Sequence, residues 1–168
     1  MKRMADRDLA ESARTRPVLI CIAAGIGLLC GCAPRTPVLN AAEQGNLEKV
    51  EQLLREGHSI NERDPGVEFG WTPLIAAIYQ DQTNVAHYLI ASGADVNIPD
   101  NSGETALMWA TASGDEGLGI VEDLIAHRAD LNAKDKYGVT VLGYASSDPP
   151  KPMVLEAVRA AMARQEHK

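Results

Sequence analysis

The sequence predicts an all-α fold: a solenoid of about four helix–turn–helix units with turn or hairpin tips and a C-terminal capping helix. Three observations predict it. First, "GWTPLIAA" from Gly70, "GETALMWA" from Gly103 and "GVTVLGYA" from Gly138 align, placing Thr72, Thr105 and Thr140 at spacings of 33 and 35. Second, "GADVNIPD" (93–100) echoes "RADLNAKD" (128–135) and "GHSINERD" (57–64). A self-similar period of this length marks a stacked repeat array, in which no unit can bury its apolar face alone. Third, cysteines occur only at 21, 30 and 32, so the 136 residues that follow have no disulfide or thiolate metal site to hold them. Packing between units must do that instead.

The first element in chain order is residues 1–31. Lys2, Arg3, Arg7, Arg14 and Arg16 outnumber Asp6, Asp8 and Glu11, and "VLICIAAGIGLL" (18–29) then runs without a charge. A net-positive stretch, a short apolar run and small residues are the parts of a secretory signal. Twelve apolar residues are too few to span about 30 Å of hydrocarbon, which needs about 20. A metal clip at Cys30 and Cys32 would need further ligands, and no His or Cys follows within twenty residues. Leu29-Cys30-Gly31-Cys32 resembles the lipobox of bacterial lipoproteins. The resemblance implies that residues 1–31 are removed, that Cys32 carries diacylglycerol, and that 32–35 form a lipid-anchored N-terminus. It also implies acylation of the new amine. Two or more acyl chains hold a protein stably at a membrane, at about 0.8 kcal/mol per buried CH2. Ala33 at the next position implies, by the same resemblance, the outer membrane, with the protein facing the periplasm.

The repeat domain is expected over 36–168, in units of about 36–69, 70–102, 103–137 and 138–168. "TPVLNAAEQGNLEKVEQLLREG" (36–57) reads as a first copy. In the second, Thr72 is expected to cap a helix, with Pro73 at the first helical position, where its missing N–H has no partner to lose. Val85, Tyr88, Leu89 and Ile90 lie at helical spacing over 84–92, and Gly93 is expected to end that helix in the left-handed region. "Asp100-Asn101-Ser102-Gly103" reads as a tight turn. These motifs resemble ankyrin repeats over nearly all of 36–146. The resemblance implies a binding scaffold whose turn tips and first helices make a concave face.

Departures from the pattern are informative. Arg128 stands where other units have Gly57 and Gly93, so a remodelled helix end is expected there. Asp115–Gly119 lengthens the third unit's inner turn by two residues, and Asp64–Phe69 lengthens the loop into the second unit by three. After "Asp148-Pro149-Pro150-Lys151-Pro152" a capping helix should bury Met153, Val154, Ala157, Val158, Ala161 and Met162 and leave Arg159 and Arg164 outside.

Catalysis finds no support in the residues. His58, His87, His127 and His167 are scattered. His58 and His127 suit helix C-terminal ends, and His87 is expected on the outer side of a second helix. Ser59, Ser92, Ser102 and Ser113 fall at turn or cap positions. The glycines at 114, 117 and 119 follow no strand and precede no P-loop lysine, so a phosphate site is not expected. No metal ligand set and no cofactor are expected either. Beyond residue 31 the chain holds 11 basic and 20 acidic residues, a net of −9, which repels nucleic acid.

A protein partner is the expectation, with the chain itself monomeric. By the resemblance, the binding face holds Trp71, Tyr79, Gln80, Asn101, Ser102, Glu104, Lys136 and Tyr137. Ala112, Ser113 and Val139 lie beside them, with Glu43 and Gln44 at one end. Trp71 and Tyr137 are expected exposed at turn tips, and Trp109 and Tyr144 one step deeper. The function expected is a membrane-tethered periplasmic adaptor. Two alternatives stand: an immunity or inhibitor protein that neutralises a toxic enzyme, and an envelope lipoprotein without a single partner.

Overall fold

The computed structural model describes residues 36–63, 69–147 and 150–166. The signal segment, Cys32, the loop 64–68, residues 148–149 and His167 lie outside the described residues. Within the compact unit Cys32–Lys168 the helices are α1 (Pro37–Glu43), α2 (Leu47–Arg55), α3 (Pro73–Tyr79), α4 (Thr83–Ala91), α5 (Ala106–Ala112), α6 (Leu118–Ala126), α7 (Val141–Ala145) and α8 (Pro152–Glu166). A 3-10 turn, Asp115–Gly117, precedes α6. Each unit pairs two of these helices. α1, α3, α5 and α7 stack as one layer, and α2, α4, α6 and α8 as the second. Among the described residues the one sheet-like pairing is an antiparallel bridge between Lys134 and Thr140. This is the all-α repeat solenoid expected.

The local causes are visible in each unit. Thr72 Oγ1 accepts the Ile75 N–H at 3.3 Å, and Pro73 opens α3. Thr36, Thr105 and Thr140 occupy the same extended N-cap position, but their hydroxyls make no capping bond. Those of Thr36 and Thr105 are buried without a partner. Asn46 caps α2 instead, accepting from Lys49 N.

Turn tips are built on aspartates. Asp100 Oδ1 accepts from the amides of Ser102 (2.7 Å) and Glu104 (2.9 Å). Asp135 Oδ1 does the same for Tyr137 and Val139, both at 2.8 Å. Successive tips are bonded to each other: Asn101 N donates to Phe69 O, and Lys136 N to Ser102 O. The approach is close enough that a Cβ on Gly103 (φ +81) would lie 3.1 Å from Lys136 N. Behind the tips, asparagines bridge the units. Asn61 Oδ1 accepts from Asp95 N, and Asn97 Oδ1 from Asp130 N.

Arg128 corrects one expectation. The helix end is not remodelled; Arg128 adopts φ +65, and its amide reaches Ile125 O as that of Gly93 reaches Ile90 O. The neighbouring bond, Ala129 N to Leu124 O at 2.9 Å, is kept as well. The repeat geometry imposes a left-handed residue that costs an L-amino acid about 1–2 kcal/mol.

The core runs through all units, with Leu39, Leu74, Ile75, Leu89, Leu107, Met108, Leu124 and Leu131 buried. The extra residues of the third unit form the 3-10 turn. Gly117 packs there so tightly that a Cβ would sit 2.6 Å from Ala110 O, and Asp115 Oδ1 accepts from Val154 N at the start of α8. This accounts structurally for Gly117. α8 closes the stack through Val154, Val158 and Ala161, with Ala157 and Met162 partly buried. Met153 does not join that face; it is 56% exposed, because the terminal helix has a unit on one side only.

Candidate functional site

The tips and the first-helix layer carry an aromatic cluster at the second unit. The Trp71 ring stands 4.9 Å from Phe69, 4.6 Å from Tyr79 and 5.7 Å edge-on from Trp109, centroid to centroid. Tyr79 and Trp109 meet edge-to-face at 5.4 Å, the geometry the ring quadrupoles favour. Phe69 is 43% exposed and Trp71 only 5%. Tyr79 and Trp109 are half-buried. The expectation of an exposed Trp71 is therefore corrected: three neighbouring rings enclose it. Its Nε1–H has no acceptor.

The adjoining tips carry carboxylates. Trp109 Nε1 donates to Asp100 Oδ2 at 3.2 Å, and one unit later Tyr144 Oη donates to Asp135 Oδ2 at 2.9 Å. Each pair spans nine residues, so each of these units uses its first-helix aromatic to hold the second oxygen of the preceding unit's turn aspartate. Tyr144 Oη also meets Glu104 Oε1 of the preceding unit. One hydroxyl proton cannot serve two carboxylates at once. Burial pushes the Glu104 carboxyl above the ordinary range, reinforced by Asp100 and Asp135 and opposed by its bond to Tyr144 and by Lys136. Burial and the bond to Glu104 push the Tyr144 hydroxyl far upward, so it keeps its proton.

The expected face residues divide into groups. Trp71 and Tyr79 join the aromatic cluster. Ser102, Glu104 and Lys136 gather around the acidic tips, where Lys136 Nζ donates to Ser102 Oγ at 3.3 Å and stands 5.5 Å over the Tyr137 ring. Tyr137 is exposed as expected, at 75%. Asn101 is exposed and takes an N–H of Arg63 on Oδ1 at 3.5 Å. Gln80 is exposed at the C-terminal end of α3, away from the tips. The sequence places Trp109 and Tyr144 in the first helices and Asp100 in a turn, but their pairing was missed; the recurring nine-residue spacing was the available signal. His87 is exposed on α4 as expected, but its Nδ1 lies 2.5 Å from Asp123 Oδ2 on α6, so it ties two units together. Among the described residues, no group of three or more His, Cys, Asp or Glu is arranged to hold a metal ion. None of the described helices is long and apolar enough to cross a membrane.

Comparison with known proteins gives consistent matches. The family model described as "Ankyrin repeats (3 copies)" matches residues 38–135. Human protein phosphatase 1 regulatory subunit 27 is 41% identical over 64 residues, 38% of this chain and 40% of that protein. Human mitochondrial disaggregase is 32% identical over 80 residues, 44% of this chain and 11% of its own length. A putative ankyrin repeat protein of Rickettsia felis is 32% identical over 65 residues, 39% of this chain and 23% of its own length. The chain thus spans two fifths or less of each of these relatives.

Proposed function

This chain belongs to the ankyrin-repeat family, and from that premise we propose that it is a non-catalytic adaptor of a bacterial envelope, tethered to the outer membrane by lipid on Cys32. It binds a partner protein through the face of tips and first helices. Family membership alone names no partner, because function lives in sites grafted onto a scaffold. The observation that carries the reading is Tyr137. Its ring is 75% exposed at a tip, where the turn is already held by Asp135 and the scaffold has no use for an aromatic. Exposed Tyr and Trp are the residues that interfaces use as anchors. The relative named as a phosphatase regulatory subunit supports a role in acting on other proteins rather than on small substrates.

A second reading, an inhibitor or immunity protein for a basic enzyme, draws on the net charge of −9 beyond residue 31 and on the carboxylates at the tips. Both readings use the same face. Tyr137→Ala tests it. Capture of the native partner should weaken by about 2 kcal/mol or more, while folding stays within about 0.5 kcal/mol. Undiminished capture by this variant would contradict the reading.

A further inference from the structure

A groove lies on the second-helix layer, lined by the C-terminal end of α6, the turn that follows it and the C-terminal end of α8. Its volume is about 370 Å³, at the small end of the range of about 300–1,000 Å³ that ligand clefts occupy. Ile125 and Ala126 of α6 and Ala161 of α8 give it apolar walls, with the buried Ala129 and Leu131 beneath them. Arg128 and Arg164 line the same groove, and both are exposed. Among the described residues neither guanidinium makes an ion pair or donates a hydrogen bond. Two cations are thus left without an anion in a part of the chain that carries a net −9. The backbone of Arg128 is fixed on both sides. Its N–H donates to Ile125 O at 3.1 Å, and its carbonyl accepts from Asn97 Nδ2 at 3.2 Å. Its φ of +65 belongs to the region that Gly57 and Gly93 (φ +94 and +86) occupy at the matching positions without steric cost. An arginine held there presents its side chain at a cost that glycine would not incur, and backbone strain of this kind is found where a side chain is used.

We propose that this groove binds a carboxylate-bearing peptide segment of a partner protein, its acid on the Arg128 and Arg164 guanidinium groups and its neighbouring apolar side chain against Ile125 and Ala126. The site lies apart from the tip face and does not depend on it. Charge complementarity selects the occupant. Guanidinium groups recognise carboxylates and phosphates through paired N–H donors, and a cationic or wholly apolar ligand would leave both without an acceptor. Asp130 decides between the two anions. Its carboxylate lines the same groove, where Oδ1 accepts from Asn132 N at 2.8 Å, and it repels a phosphate dianion more than a carboxylate monoanion. The net −9 beyond residue 31 likewise opposes a nucleic-acid backbone. Arg128, Asp130, Arg164 and Gln165 are all exposed, so the groove is open along one side. It suits a chain segment lying across it rather than a small molecule enclosed on most of its surface.

The test is a titration of the full chain into a dye-labelled hexapeptide of alternating glutamate and leucine, read by fluorescence anisotropy. Binding should be saturable, and the same peptide with glutamine for glutamate should bind at least about tenfold more weakly. Arg128→Gly and Arg164→Gln should each weaken binding about fivefold to tenfold. Glycine already holds this position in two other units, so Arg128→Gly should not lower the thermal midpoint, and Arg164→Gln carries the test independently of any folding effect at 128. Arg159→Gln, which removes an equal charge from an exposed position of α8 outside the groove, should change nothing. Absence of saturable binding overturns the proposal, as does unchanged binding by both Arg128→Gly and Arg164→Gln. An equal loss from Arg159→Gln overturns it too, since that would mean diffuse attraction of an acidic peptide. Displacement of the peptide by inorganic phosphate beyond that by chloride at matched ionic strength would make this a phosphate site and overturn the peptide as occupant. None of these results bears on the Tyr137 dependence of capture, which tests the tip face alone.

Discussion

Replacing Trp71 by alanine removes the centre of the aromatic cluster. The indole is 5% exposed and touches three other rings. A tryptophan of this kind buries roughly 150–250 Å². At about 25 cal/mol per Å² that is worth about 4–6 kcal/mol. The alanine methyl retains a part, and the orphan Nε1–H, a burden of about 1–3 kcal/mol in the native protein, disappears. The net loss should be about 2–3 kcal/mol, at the lower edge of the range of about 3–5 for Trp→Ala in cores. Urea unfolding followed by far-ultraviolet circular dichroism is the assay. With a slope of about 1.5 kcal/mol per molar, the midpoint should fall by about 1.5–2 M. Trp71→Phe keeps a ring and removes the orphan donor, so it should cost less than about 1.5 kcal/mol. If Trp71→Ala shifts stability by less than about 0.5 kcal/mol, the magnitude of a surface change, the indole is not packed as described. If Trp71→Phe costs as much as Trp71→Ala, the N–H has an acceptor and the orphan-donor argument fails.

Two further predictions follow from named residues. Because the folded state raises the Glu104 pKa above 4.5, its carboxyl supports stability below that pH, and the support is lost as pH rises through the raised folded value. Glu104→Gln should therefore gain on the native protein as pH rises above 4.5, read as the difference in thermal midpoints; a pH-independent difference would contradict the raised carboxyl. Cys32→Ser should leave unprocessed precursor and abolish acyl labelling, and unchanged labelling would remove the lipid tether from the account.

The period, the turn aspartates and the paired helices were legible because each is written within one unit. Thr72, Asp100 and Gly93 act on backbone atoms a few residues away, and the structure places all three as expected. Arg128 follows from the same logic carried further, since the neighbouring bonds fix its φ whatever its side chain. Trp71 was not legible. Its burial depends on Phe69, Tyr79 and Trp109, the last from the next unit, and a tip position read alone looks exposed. The hydrogen-bond chain linking Asp100, Glu104, Tyr144 and Asp135 likewise crosses units and emerges only when units 70–102, 103–137 and 138–168 are stacked. Met153 was assigned to a buried face by helical spacing alone, which does not say how much neighbour a terminal helix has. The N-terminal readings lie outside the described residues and rest on Leu29-Cys30-Gly31-Cys32 itself.

The most direct test of the central claim places a photo-reactive phenylalanine analogue at position 137 and, separately, at position 84. Tyr137 is on a tip of the proposed face, and Asn84 is exposed on α4 in the second-helix layer. Irradiation in intact cells, followed by gel analysis of the tagged chain, reads which surface has a protein against it. The account predicts a discrete cross-linked species from position 137 and none from position 84. A species from position 84 alone, or none from either at native expression, would contradict it.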